Sequence, residues 1–260
     1  MSEILPRGFV FSQSNLQAFQ NCRFSFMLRY IRKLPWPSPL SARSASFELD
    51  QAAGSMLHSL IHQYFLGIDA ELLRSCAEAF PDARVSRWLE RFLASPYSEI
   101  LPNQYPEHSQ QIALGGNLLL AKFDLLHLDD DAIQICDWKT SRILLNRVRL
   151  QNRIQTMVYA LVAVSANDSK TRPVSMYYWE ADFPDNPIIF EFSPQQLIDF
   201  RKTITNLIHT IKSLSPDEFI RTTNLNHCSY CEYQTYCSRV GIPKDEQAYQ
   251  DWLEIGLLEN

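Results

Sequence analysis

Asp137 and Lys139 stand two residues apart at the end of an alternating apolar run, Ile133-Gln-Ile-Cys136, that reads as a buried strand. Residues two apart on a strand point to one face, so both side chains project into one place. Thirteen residues before Asp137, Asp124 ends another apolar run, Leu118-Leu-Leu-Ala-Lys-Phe123. The polar break Asp129-Asp-Asp131 suits a turn, and a hairpin there brings Asp124 beside Asp137. Two buried carboxylates side by side repel, and one takes up a proton unless a cation is present. Magnesium or manganese resolves this with oxygen ligands and retained waters. Lys139 then stands where it can orient or deprotonate an attacking water, or stabilise developing phosphate charge. Salt bridges alone are the plainer reading, but one lysine cannot neutralise two acids.

Further side chains join this set by spacing. Gln155 and Tyr159 are four apart on an expected helix and share a face, so they can contact a phosphate or brace Lys139. Helix packing for Tyr159 and solvation for Gln155 are the ordinary alternatives. His58 follows Gly54 by four residues on another helix, the glycine permitting close approach. His62 repeats the face, but Ser59 stands where a zinc-protease H-E-x-x-H motif needs Glu, so His62 is read as an ordinary helical residue. Cys228, Cys231 and Cys237 form C-x2-C-x5-C amid His227, Tyr230, Tyr233 and Tyr236. Thiolates at this density bind zinc or an iron–sulfur cluster, and the fourth ligand is His227 or Cys22. Cys76 and Cys136 read as core residues.

The elements that must position these groups follow from periodicity. Ser12 or Ser14 caps a helix whose apolar positions Leu16, Phe19, Phe24, Met27, Leu28 and Ile31 run up to the rigid Pro35-Trp-Pro-Ser-Pro39 connector. Helices are expected over about 47–66, 70–80 and 84–93. The period then changes, giving strands at 111–114, 118–128 and 132–138 in a meander. A helix over 150–164, strands at 174–180 and 187–192, and a helix from Ser193-Pro194 to about Leu214 complete the core. An amphipathic helix is expected over 246–258. Helices, then strands with a crossover helix, imply an α/β core with an added helical layer.

Composition narrows the class. With 46% hydrophobic and 20% charged residues, the 260-residue chain is that of a globular protein. It has no run of membrane-span length and no secretory plan at its start, and six cysteines without a disulfide framework fit the cytoplasm. Net charge is −5, but its distribution is uneven. Arg7, Arg23, Arg29, Arg32, Lys33 and Arg43 face only Glu3 over residues 1–43, and Lys139, Arg142, Arg147, Arg149 and Arg153 face no acid over 138–167. A locally basic groove on an acidic protein fits a polyanion held at one place.

Taken in order, these residues resemble the PD-(D/E)XK nucleases, specifically the RecB-type branch bearing an iron–sulfur cluster, with the CRISPR-associated exonucleases and the nuclease domain of the AddB subunit. The marks are Ser12-x-Ser14 through Cys22, Phe26 and Tyr30, then Gly54-x-x-x-His58, Asp124, Asp137-Trp-Lys139, Gln155-x-x-x-Tyr159 and the cysteine triplet. The resemblance implies a restriction-endonuclease-like mixed sheet flanked by helices, one nuclease domain over 1–243 and an acidic amphipathic tail over 244–260. It implies that His58, Asp124, Asp137 and the Trp138 carbonyl hold Mg²⁺ or Mn²⁺. Lys139 would handle the water, with Gln155 and Tyr159 in support. Cys22, Cys228, Cys231 and Cys237 would ligate a structural [4Fe–4S] cluster. The expected activity is a deoxyribonuclease, exonuclease more than endonuclease, acting on single strands or ends in DNA repair, recombination or CRISPR adaptation. No helicase motif accompanies it, so a helicase or CRISPR integrase is the expected partner. A non-cleaving nucleic-acid-binding module with the same fold is the alternative.

Overall fold

The computed structural model describes residues 4–34, 45–167 and 172–243. The expected Pro35–Pro39 connector and the tail helix over 246–258 lie outside these residues. Strand β1 (Val10–Ser12) leads into α1 (Gln13–Asn21), capped by Ser12 in a reciprocal box with Asn15. Such a cap contributes about 1 kcal/mol. The expected continuous helix breaks at Cys22, whose backbone is extended (φ −162°, ψ 111°). It restarts as α2 (Arg23–Phe26) and a π-helical turn, Met27–Ile31. Helices α3 (Ala45–Phe65), α4 (Ala70–Ala79) and α5 (Arg84–Leu93) follow.

Three long strands come next: β2 (Gln104–Leu114), β3 (Asn117–Leu128) and β4 (Ile133–Lys139). The β2–β3 turn is Gly115-Gly116, both with positive φ (56° and 76°), as a tight hairpin turn demands. One helix was expected over 150–164; the chain instead forms α6 (Arg147–Gln151) and α7 (Ile154–Ala166), parted at Arg153, which is extended (φ −73°, ψ 144°). Strands β5 (Val174–Glu180) and β6 (Ile188–Phe192) and the long α8 (Pro194–Ser213), capped by Ser193, finish the ordered scaffold.

The sheet runs β1-β3-β4-β5-β6, with β2 also on β3. It is mixed: β1 is parallel to β3 and β4 to β5, while β2–β3, β3–β4 and β5–β6 are antiparallel. One face packs against α1, α7 and α8 through Leu16, Val158, Leu161 and Ile204. The other packs against α3, α4 and α5 through Leu57, Leu73, Trp88 and Phe92, which meet Trp138 and Trp179. The structure is therefore the mixed α/β core flanked by helices that the residues implied.

The strand pairing opens where the acidic residues sit. β1 lies along Leu118–Leu120 of β3, and β4 pairs only with Leu125–Leu128. The last β3–β4 rung is Leu125 with Cys136; beyond it β4 continues on β5 alone, Asp137 beside Tyr178 and Lys139 beside Glu180. Facing also slips by one residue there. Leu119, Ala121 and Phe123 join the α7-side core, Leu125 joins the α3-side core, and Leu126 returns to the first. A fork between two strands, floored by helices on both faces, is the natural place for side chains that cannot pair with backbone.

Candidate active site at the strand fork

The fork is bridged by a side chain in place of a ladder bond. Trp138 donates its backbone N–H to Asp124 Oδ2 at 2.7 Å, which fixes the carboxylate and satisfies an amide that the divergence of β4 would orphan. The other oxygen, Oδ1, lies 3.3 Å from Nδ1 of His58, carried in by α3. Burial opposes the charge on Asp124, but the charge and hydrogen bond of His58, with Lys139 and the Trp138 amide, hold its carboxyl below the usual range. Burial likewise pulls His58 down, and Asp124 overrides it to raise the imidazole above its ordinary value.

Asp137 is 1% exposed and differently placed. Gln155 Nε2 donates to its Oδ1 at 2.7 Å, and Lys139 Nζ stands 2.6 Å from its Oδ2. That close contact makes Lys139 the charge partner of a carboxylate otherwise shut away from water. Burial first, and then the neighbouring Asp124 charge, push the Asp137 carboxyl up to about 6 despite Lys139. Lys139 also donates to Gln155 Oε1 at 3.0 Å, so Gln155 grips both partners of the ion pair. Beneath Lys139, the Tyr178 ring centroid lies 5.7 Å from Nζ.

A sixth group had no signal in local pattern. Glu107 of β2 sits where the β2–β3 register places it opposite Asp124, between the rungs Pro106–Leu125 and His108–Phe123. Its backbone is left-handed (φ 49°), which breaks that rung; an L-residue there is strained. One ligand atom each from His58, Glu107 and Asp124 lie within 4.8 Å of one another. Lys122 holds Glu107 at 2.7 Å. His58 Nε2 is buried and has no hydrogen-bond partner among the described residues. An imidazole and two carboxylates at one point form a donor set for a hard or borderline divalent cation.

The remaining expected residues fall as follows. Tyr159 is fully buried; its hydroxyl donates to the Lys122 carbonyl and receives Gln13 Nε2 at 3.4 Å. It therefore braces β3 two residues before Asp124, and it also meets the Gln155 side chain and feels the charges of Asp137 and Asp124. His62 lies half-buried one turn past His58. Cys22, Cys228, Cys231 and Cys237 line one cavity with His227, and all are free thiols. The helix break at Cys22 makes this meeting: Ile220 O accepts from Phe24 N at 3.2 Å, and Thr222 N donates to Cys22 Sγ at 3.4 Å. Cys136 is buried, but Cys76 is exposed. The buried side of α4 is Leu73 and Ala77, so Cys76 does not belong to the core.

Loop 140–146 beyond Lys139 is pinned from two sides. Buried Glu180 accepts Ser141 Oγ at 3.0 Å and Leu145 N at 3.1 Å. Asp50 of α3 accepts Arg142 at 2.6 Å and Arg84 of α5 at 2.5 Å. Thus α3 supplies His58 to the fork and holds the loop that leaves it.

A candidate exonuclease from Eubacterium rectale shares the fold, with a TM-score of 0.56 and 14% identity over 91% of this chain and 90% of that one. The protein SSO0001 aligns over 91% of this chain and 89% of its own at 13% identity, with a TM-score of 0.41. No curated protein matches in sequence. Among the described residues no helix is long and apolar enough to cross a membrane. The sequence model of the PD-(D/E)XK nuclease superfamily matches residues 10–238, from β1 through the cysteine segment. This chain belongs to the PD-(D/E)XK nuclease superfamily, and it is a nuclease.

Proposed function

We propose that the chain is a Mg²⁺- or Mn²⁺-dependent deoxyribonuclease that works on single strands or ends, an exonuclease of the RecB-type iron–sulfur branch. The observation that carries the reading is the buried fork itself: His58, Glu107 and Asp124 bring ligand atoms within 4.8 Å of one another, and Gln155 clamps Lys139 to Asp137 beside them. His58, Glu107, Asp124, Asp137 and the Trp138 carbonyl would hold the metal, which supplies a Lewis acid for the phosphate and a water of lowered pKa. Lys139 positions the attacking water and meets charge developing on the phosphate, while Gln155 keeps its amine from turning away. Tyr159 holds β3 in register beneath Asp124. Arg149 and Arg153 border a surface hollow beside the loop from Ile143, a suitable track for a phosphodiester backbone.

Support for the cluster comes from the thiols. Cys22, Cys228, Cys231 and Cys237 line one cavity as four free thiols, a ligand count that suits one thiolate-bound metal group. A [4Fe–4S] group on Cys22, Cys228, Cys231 and Cys237 would clasp the start of the fold to its end. Such thiolates require a reducing compartment, hence the cytoplasm. The same reading places the enzyme in repair, recombination or CRISPR adaptation beside a helicase or integrase. Iron-loaded protein is expected to degrade end-labelled single-stranded DNA with Mn²⁺ under reducing conditions, and Lys139→Ala to lose that activity. Wild-type protein with full iron and no cleavage of DNA ends the proposal.

A further inference from the structure

One cation near the thiol cavity has a geometry of its own. Arg239 donates Nη1 to Cys228 Sγ at 3.2 Å and to the Thr222 carbonyl at 2.7 Å. Thr222 in turn donates its N–H to Cys22 Sγ. One guanidinium thereby links two thiols that come from opposite ends of the chain. Its aim is set by the backbone: Ser238 is left-handed (φ 54°), turning the chain so that Arg239 N meets Gln234 O at 2.8 Å and the side chain folds back over Cys228. A left-handed serine is disfavoured, so the turn is held by its contacts. Arg239 also lies just past the residues that the superfamily model matches, 10–238. The donors to the other sulfurs are neutral amides, Thr222 N to Cys22 Sγ and Tyr233 N to Cys231 Sγ, both at 3.4 Å.

We propose that Arg239 sets the redox poise of the iron–sulfur cluster by holding the Cys228 thiolate in a charge-assisted hydrogen bond. The inference rests on the cluster reading of the four thiols. A thiolate-held cluster is anionic and gains one more negative charge when it takes an electron. A cation and N–H donors at its sulfurs favour the reduced form and raise the midpoint potential. Arg239 supplies both at once, and it steadies the Thr222 amide that serves Cys22. It touches the cluster's ligands and no substrate, so it acts as a tuning and positioning residue.

The test is a mediated titration of anaerobically purified holoprotein with dithionite, a one-electron reductant, followed by visible absorption and by the electron paramagnetic resonance signal of the reduced cluster. Iron and sulfide are measured first. In Arg239→Gln the midpoint is expected to fall by at least a tenfold change in the reduced-to-oxidised ratio, about 59 mV for one electron. Arg239→Lys, which keeps charge but loses the fork, is expected to fall less. Arg74→Gln, in the surface ion cluster that Arg74 forms with Glu71 of α4 and Glu90 of α5, is expected to leave the midpoint unchanged. An iron-replete Arg239→Gln with the wild-type midpoint overturns the inference and leaves the cluster reading standing. If that variant fails to load iron, an unchanged midpoint in Arg239→Lys overturns it equally. A wild-type protein holding zinc, or no iron, overturns the cluster reading and this inference with it.

Discussion

Gln155 touches both members of the buried Asp137–Lys139 ion pair, at 3.0 Å to Lys139 Nζ and 2.7 Å to Asp137 Oδ1. Gln155→Leu keeps the volume and removes both bonds. Hydrogen bonds to charged groups contribute about 1.5–3 kcal/mol each. If only the bond that aims Lys139 enters the transition state, that range lowers kcat/KM by roughly ten- to a hundredfold. The discriminating measurement is a double-mutant cycle with Lys139→Met, which removes the amine and keeps the stem. On that background Gln155 has no Nζ to aim, so Gln155→Leu is expected to cost less than about threefold, leaving a coupling energy of roughly 1.5–3 kcal/mol. Initial rates on subsaturating end-labelled single-stranded DNA with Mn²⁺, for four proteins at matched concentration, give every term. If the two losses multiply, Gln155 and Lys139 act independently and the reasoning fails. A Gln155→Leu protein at the wild-type rate refutes it more simply.

Three further outcomes follow from the same geometry. Glu107→Gln is expected to raise the half-saturating Mn²⁺ concentration at least about tenfold, the scale on which lost support weakens metal sites; an unchanged value in a metal titration of the cleavage rate removes Glu107 from the ligand set. Asp137 and His58 both hold protons more tightly folded than unfolded. Their stability contribution is therefore full at low pH and lost as pH rises, for Asp137 between about 4 and about 6. Asp124 is lowered and contributes in the opposite sense only below that window. Metal-free protein is thus expected to melt at lower temperature at pH 7.5 than at pH 5.5, and Mg²⁺ to raise Tm more at pH 7.5; equal Mg²⁺ shifts at both values contradict the buried carboxylate account. Asp50→Asn unties Arg84 and Arg142 from a buried carboxylate and is expected to destabilise by about 3 kcal/mol in urea denaturation. A change below about 0.5 kcal/mol denies it any role as the tie between α3 and the loop after Lys139.

Much of the site could be read in one dimension because its geometry is local. Alternation fixes the facing of Asp137 and Lys139, and the aspartate break at 129–131 fixes the hairpin that carries Asp124 toward them. Gln155 came into view by helical spacing, although its double grip depends on how α7 crosses the sheet. Glu107 was invisible because Gln104-Tyr-Pro-Glu-His108 has no clean alternation and its neighbour is seventeen residues away. One signal existed: counting back from the Gly115-Gly116 turn sets Glu107 opposite Asp124. The break at Cys22 was hidden because apolar spacing runs straight through it. What ends α1 there is tertiary, the arrival of Ile220 and Thr222 alongside. The resemblance to the iron–sulfur RecB-type branch implied Cys22 as a partner of the triplet, and the fold brings it to their cavity. Cys76 shows the opposite failure, since cysteine type suggested burial where the face of α4 did not provide it.

The central claim is that the β3–β4 fork is a divalent-metal site that cleaves nucleic acid, and one titration tests it most directly. The rate of single-stranded DNA degradation is followed against Mn²⁺ concentration for wild-type protein and for Asp124→Asn. The latter keeps the shape of the side chain that bridges Trp138 N and His58 Nδ1. The account predicts a saturable metal dependence in the wild type, silence without metal, and a loss in Asp124→Asn of several hundredfold or more at saturating Mn²⁺. Cleavage that persists without divalent metal, or that survives in Asp124→Asn at the wild-type rate, contradicts it.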